Sequence, residues 1–491
     1  MTRIRLILIF LLPLFCRGNN VQLNNLTLED DNVLQCQISW ENSWHYHDSI
    51  APFNHDAIWV FGKAKRIVDQ QWESIPIKFS GVEVDALLEA KVAFSQIGVM
   101  VRRAQNGEGA ILSDLRVETD MPDLAAVYSE VRLFAIEMVY VEEAAFFIGD
   151  SISNYSFITF GSGQPYEINS EQSIPVGQTV GNLYTNDDYA PFDDIPSGYP
   201  KGYHAFYSMK YEISQQQYAD FLNTLTPTQQ QNRKINKSFQ SLCFVEEDHI
   251  DGERNFIKKI GEVYGCDANG NNIFGDDDDG QNVACNFLTW GHITAYLDWA
   301  GLRPMTEFEF EKICRGPEAP QPLELAWGNE QVVNTLQPNL SATEDEAVFD
   351  AIPPGYGIAN YGYCLPSGPL RCGFAGKSTT TRAASGAAYY GAMEMSGNLW
   401  EWCVNVSENG LSFEGDHGDG QLTSNGDANE AHWEAVSGLT AGLRGGGWNS
   451  GILSGFRDLA ISDRFYIFFT GNNTATGTVG GRGVISNNMF E

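Results

Sequence analysis

The chain has 491 residues, and since domains usually run roughly 100–200 residues, a single small module is excluded. Hydrophobic residues at 43% and aromatics at 12% supply sizeable cores, which excludes global disorder despite 49 glycines. Asp and Glu number 63 against 30 Lys and Arg, a net charge of −33; a phosphate backbone or an anionic lipid surface repels such a chain, so nucleic acid is not expected as a partner.

Arg3 and Arg5 precede an apolar run over residues 6–15 broken only by Pro13, which reads as a secretory signal over residues 1–18. The run is too short for a spanning helix, which needs about 20 apolar residues, and no later stretch comes close. The mature chain is therefore expected to be exported without a transmembrane segment, to the cell surface, the periplasm or the medium. Cys16 offers lipid attachment as an alternative, against which the large Phe15 before it counts. The other cysteines, Cys36, Cys243, Cys266, Cys285, Cys314, Cys364, Cys372 and Cys403, are even in number, which in an exported protein suggests disulfides or buried thiols. Cys364 and Cys372 bracket a short Pro/Gly loop and are the best candidates for a pair. No Cys/His spacing of a zinc site occurs.

Residues 19–133 read as a β-sandwich-like domain. Leu34, Cys36, Ile38 and Trp40 alternate with polar residues, the period of a strand with one buried face. Residues 57–61 and 97–101 are short apolar runs, and turn residues such as Asn106-Gly107 punctuate this part of the chain. His45 and His47 lie two apart with His55 nearby; they make a metal site if they share a strand face and are otherwise surface histidines.

From residue 134 the character changes and capped helices are predicted. Ser214 and Gln217 form a capping box ahead of the stripe Tyr218, Phe221, Leu222, Leu225. Thr289 precedes Ile293, Tyr296, Leu297 and Ala300, with Gly301 placed to end that helix. Thr306 and Glu309 open a third, which stops at Arg315-Gly316. Long Gly/Asn/Asp-rich connections separate them, and these carry function or are held by ions and bridges.

These residues resemble the formylglycine-generating enzyme, or sulfatase-modifying factor, family. Met209-Lys210-Tyr211-Glu212-Ile213-Ser214 with Tyr218-Ala219-Asp220-Phe221-Leu222-Asn223 is similar to its opening helix. Trp290 through Arg303, then Met305-Thr306-Glu307-Phe308-Glu309-Phe310-Glu311-Lys312, resemble its next two segments. Gly397-Asn398-Leu399-Trp400-Glu401-Trp402, Arg444-Gly445-Gly446-Gly447-Trp448 and Gly481-Arg482-Gly483-Val484 are similar to G-N-V-W-E-W, R-G-G-S-W and G-F-R-V. The resemblance covers residues 134–491 and implies an α+β, C-type-lectin-like fold low in regular elements. A β-rich front on such a domain resembles surface proteins of Bacteroidetes-type bacteria.

Oxidases of this family hold copper between two cysteines at fixed distances after the Arg of R-G-G-S. Counted from Arg444 those positions are Ser450 and Gly455, which supply no thiolate, so copper is not expected and no catalytic residue is assigned. A second branch uses three histidines with an H-x-x-x-H spacing that this chain lacks. The resemblance implies calcium at Glu394, Gly397, Leu399 and Glu401, with a second site beginning near Asn339 and Leu340; oxygen ligands suit that hard cation. Independently, Asp267, Asn269 and Asn271 carry oxygens at alternate positions ahead of the acidic run 276–279, which reads as a calcium loop or a solvated acidic loop. Trp448, Phe456 and Arg457, with Phe465 and Tyr466 nearby, line the expected groove or belong to the core. The expected function is binding or surface interaction with a protein or glycan ligand. The alternatives are an oxidoreductase that modifies an exported protein and a structural component of an envelope or gliding assembly, whose copurifying partners would reveal it.

Overall fold

The computed structural model describes residues 14–15, 21–30, 32–47, 51–121, 123–186, 193–237, 252–335, 340–343, 346, 351–362, 367–377, 380–433, 440–451, 455–467 and 475–490. Most of the expected signal segment, with Cys16, lies outside these residues, as do Cys243, Asn339 and Cys364. The described chain is mostly β with few helices.

The front half contains β1 (Gln22–Asp30), β2 (Val33–Tyr46), β3 (Asn54–Arg66), β4 (Ile77–Val84), β5 (Leu88–Val92), β6 (Gly98–Arg103), β7 (Gly107–Thr119) and β8 (Tyr128–Val141). As the alternation predicts, Leu34, Cys36, Ile38 and Trp40 of β2 are buried and the residues between them are half-buried. β2 pairs with β1 and β7, and β7 with β4. β3 pairs with β6 and β8, and β6 with β5. The run 57–61 is continuously apolar because β3 is covered on both faces. Ile58 and Val60 pack with Ile38, Trp40 and Leu115, whereas Ala57, Trp59 and Phe61 face a second core that includes Phe221, Tyr296 and Trp299.

β8 does the same across the expected boundary at 133/134, which therefore falls inside a strand. Its first part pairs with β3 from Tyr128↔Arg66 to Val139↔Asp56. Its end pairs with β9 (Phe206–Met209) through Met138↔Met209 to Val141↔Phe206. Leu133 and Ala135 enter the front core, while Phe134, Ile136 and Met138 enter the second.

Among the described residues four α-helices follow β9. The predicted three are α1 (Gln215–Asn223), α3 (Trp290–Trp299) and α4 (Glu307–Arg315). Each has the expected cap at Ser214, Thr289 or Thr306, and Gly301 and Gly316 adopt positive φ just past the last two. The fourth, α2 (Pro227–Arg233), is opened by Thr226, Gln229 and a Pro at its start. A hairpin of β10 (Ile257–Ile260) and β11 (Val263–Cys266) precedes the acidic loop. β12 (Arg303–Pro304) and the late strand β16 (Gly483–Ser486) extend the β3–β8–β9 sheet. β13 (Trp400–Val404) lies between β14 (Ala441–Arg444), antiparallel, and β15 (Val479–Gly480), parallel.

Candidate functional site

The G-N-x-W-E-W and R-G-G segments meet on β13 and β14, where Glu401 and Arg444 are register partners. Gly445 and Gly446 have φ of 85° and 74°, and a Cβ there would approach the Met395 carbonyl at 2.8 Å and the Asp458 carbonyl at 3.0 Å. Only glycine lets this turn pack so closely.

Charged residues of these motifs are buried in pairs. Arg444 donates to Glu307 and Glu311 at 2.9 Å each. Arg464 donates to Glu307 at 2.6 and 3.1 Å, and Arg303 forms a fork on Glu309 at 2.8 and 2.6 Å. Arg315 donates to Glu311 at 3.1 Å and also pairs with Glu324. The three glutamates of α4 thus anchor the interior, which is what its charge pattern is for.

At the positions of the copper cysteines, Ser450 is buried and its Oγ accepts from the Gly447 N–H at 2.9 Å, and Gly455 starts a 3-10 turn over Gly455–Leu459. The described cysteines, Cys36, Cys266, Cys285, Cys314, Cys372 and Cys403, are buried thiols. Burial pushes Cys36 up to about 12 and raises the others. The donor set does not fit a copper(I) thiolate centre. Cys372 lies against the Glu212 carbonyl at 3.4 Å as a free thiol; its expected partner Cys364 is outside the described residues.

The four expected calcium residues divide. Glu401 accepts from Arg482 Nε and Nη2 at 2.7 and 2.6 Å, and the same guanidinium donates to the carbonyls of Met393 and Lys210 at 2.7 and 2.9 Å. A cation already occupies the place beside Glu401, so its carboxylate does not fit as a direct ligand. Leu399 donates its N–H to Glu212 at 2.9 Å, and Gly397 donates to the Gly445 carbonyl at 2.8 Å. Glu394 fits better: Oε1 accepts from the Gly373 N–H at 3.1 Å, whereas buried Oε2 has no hydrogen-bond partner among the described residues. Burial pushes Glu394 up to about 7. Burial and the neighbouring Glu401 also raise Glu212, which accepts from Asn398 at 2.5 Å. A cation touching Glu394 would relieve this crowding of carboxyls. Sequence reasoning found Glu394 but not Glu212 or Arg482 as its surroundings. Leu340 is exposed.

In the acidic loop Asp267 is taken by Lys258 and by the Asn272 N–H, which removes it from the expected ligand set. The Asn269 and Asn271 amides donate to Asp278 and Asp276 at 2.7 and 2.6 Å, and their oxygens accept from the backbone at Asn271 and Ile273. Asp276, Asp278 and Asp279 form the carboxylate group instead.

Trp448 is a correction of another kind. It is fully buried beside Leu399, Cys372 and Ala284, and its Nε1 donates to the Gly477 carbonyl at 2.8 Å; it is core, not groove. Phe456 is half-buried and Arg457 exposed. Phe465 and Tyr466 stand out, 51% and 36% exposed, with Phe465 stacked at 6.0 Å on Tyr155 and Tyr466 at 4.9 Å from Trp400. Elsewhere a cavity of about 890 Å³ is lined by Glu143, Glu171, Glu414, Asp416, Asp419 and Glu430 among others.

The model of the sulfatase-modifying factor enzyme 1-like domain matches residues 168–463, more than half of the chain. The chain belongs to this family. No curated protein matches it in sequence. The matched sulfatase-modifying factor region starts after β8 and contains α1 to α4, the Arg303, Arg315 and Arg444 pairs with the α4 glutamates and the Ser450/Gly455 positions, while Arg464 lies one residue beyond it.

Proposed function

We propose that this member of the sulfatase-modifying factor family is an exported binding protein, with a β-sandwich-like front on a C-type-lectin-like domain that has lost the copper chemistry. The observation that carries the reading is the donor set: Ser450 and Gly455 stand at the two copper positions, and every described thiol is buried with its ionisation disfavoured. A fold can keep its frame while a site changes its use. Phe465 and Tyr466, exposed and 5.0 Å apart, supply a recognition surface for a protein or glycan ligand, since exposed aromatics bind with little loss of side-chain freedom. Calcium supports the domain from the side of Glu394.

The deciding experiment incubates the copper-exposed protein with a Cys-x-Pro-x-Arg peptide. No formylglycine is expected, and clear turnover would overturn the reading. Elemental analysis of the same sample should give calcium without stoichiometric copper. Chelation should lower Tm in the wild type and leave Glu394→Gln nearly unmoved; equal shifts would remove Glu394 from the calcium site.

A further inference from the structure

His45, His47 and His55 meet at the open end of the β2–β3 pair. A register shift between Trp40 and Ser43 turns Ser43 and His45 inward, and His45 and His55 are cross-strand partners. His47, two residues beyond His45, lies on the same side. Asp56 pins this irregular stretch by accepting from Trp40 Nε1, Ser43 Oγ and the Trp44 N–H, each at 3.0 Å. The three ring centroids are 4.8 to 5.1 Å apart.

The hydrogen bonds assign the nitrogens. His45 Nδ1 donates to the Arg103 carbonyl at 2.8 Å, which leaves Nε2 with its lone pair. His55 Nε2 meets the Tyr207 hydroxyl at 3.1 Å, and its ring stacks on Tyr140 at 4.7 Å. His55 Nδ1 faces His47 Nε2 at 2.9 Å. One ligand atom from each ring lies within 4.8 Å of the others, and tetrahedral imidazole ligands at about 2.0–2.1 Å from a metal stand roughly 3.3 Å apart, within reach of small side-chain rotations. An imidazole fixed by a carbonyl on its far nitrogen is the usual support of a metal ligand. The cluster opens on a cavity of about 360 Å³, room for water or a further ligand in an open position. There Glu89 pairs with Arg102 and offsets its charge.

We propose that His45, His47 and His55 form a three-imidazole site for a borderline divalent transition metal such as zinc, with an open position facing this cavity. Three nitrogens and no thiolate favour that class over calcium or copper(I). The three histidines come from β2, β3 and the segment between them, Tyr207 and Phe490 close the cavity from the later part of the chain, and no described residue of the Ser450/Gly455 region lines it.

The test titrates zinc into the full mature chain with calcium in excess, and compares wild type with His47→Ala, whose side chain is exposed. One zinc per chain that raises Tm is expected, weakened at least about tenfold in His47→Ala. Cobalt(II) on the wild type should give the visible absorption of a low-coordinate, nitrogen-bound ion. No zinc uptake by folded wild type, or equal uptake by His47→Ala, would overturn the proposal. Should that variant fail to fold, a cobalt spectrum of a fully hydrated or all-oxygen ion in the wild type would do the same.

Discussion

Asp220 is a motif residue on the buried face of α1, 5% exposed, where it accepts from Gln216 Nε2 at 2.9 Å. Burial pushes its carboxyl up to about 6 from an ordinary 3.8. A folded value above the unfolded one means that the folded state holds the proton longer. The group has no effect below pH 3.8, costs stability progressively as the pH rises from 3.8 to about 6, and keeps that cost unchanged above it. Asp220→Asn should therefore raise stability at pH 7.5 by about 1–3 kcal/mol and change little at pH 3.8. Urea melts at both pH values check this; an equal gain at both would assign the effect to packing. The opposite holds at Arg482, whose fork on Glu401 is fully buried. Arg482→Ala leaves Glu401 without its cation beside Glu212 and Glu394, a loss of about 3–5 kcal/mol. Arg482→Lys should recover only part, since an ammonium cannot make the fork. A lysine variant as stable as the wild type in guanidinium melts would mean that charge alone matters there.

The helices were the most legible elements, because a capping box and a stripe are local and each lies within one turn or two of the sequence. α2 carried the same signal in Thr226, Pro227 and Gln229 but has too few apolar residues to display a stripe. Trp448 was not legible: an aromatic after R-G-G has the same composition in a groove as in a core, and only packing against Leu399 and Cys372 separates the two. Glu401 was visible as an acid and its partner was not, since Arg482 lies 81 positions away. The same applies to α4, where Glu309 is legible as half of a capping box but Glu311 and Glu307 find Arg444 and Arg464 at 133 and 157 positions' distance. Glu307→Gln keeps the shape and removes the charge that two buried guanidinium groups share. It should cost several kcal/mol, on the order of 3–5, and weaken β13–β14 pairing with it. Hydrogen exchange at Trp402 and Leu443 measures that directly, and unchanged protection would detach α4 from the β13–β14 unit.

At the scale of the molecule, the alternation in β2 and the change of texture near residue 134 point to two domains. Position 134 lies in a strand that serves two cores, because odd and even residues of β8 face different sides. β3 has the same double duty, and further contacts cross from the front half: Trp59 Nε1 donates to the Ala300 carbonyl at 2.8 Å, Lys63 Nζ to Gly420 at 2.7 Å, and Asn54 Nδ2 to Tyr390 at 2.7 Å. Two bodies that share strands and bury one another's apolar faces unfold together. Calorimetry of the mature chain should thus give one cooperative transition. A fragment starting at residue 134 loses residues 128–133 of β8 and all of β3. It leaves Phe134, Ile136 and Met138 uncovered on one side of a new sheet edge, a template for aggregation. Soluble yields of chains beginning at residues 19 and 134 compare the cases: the shorter one is expected in the insoluble fraction. A soluble, monomeric fragment with a sharp melt of its own would mean that β8 closes the second core without β3, and that the front half is an attachment to an independent domain.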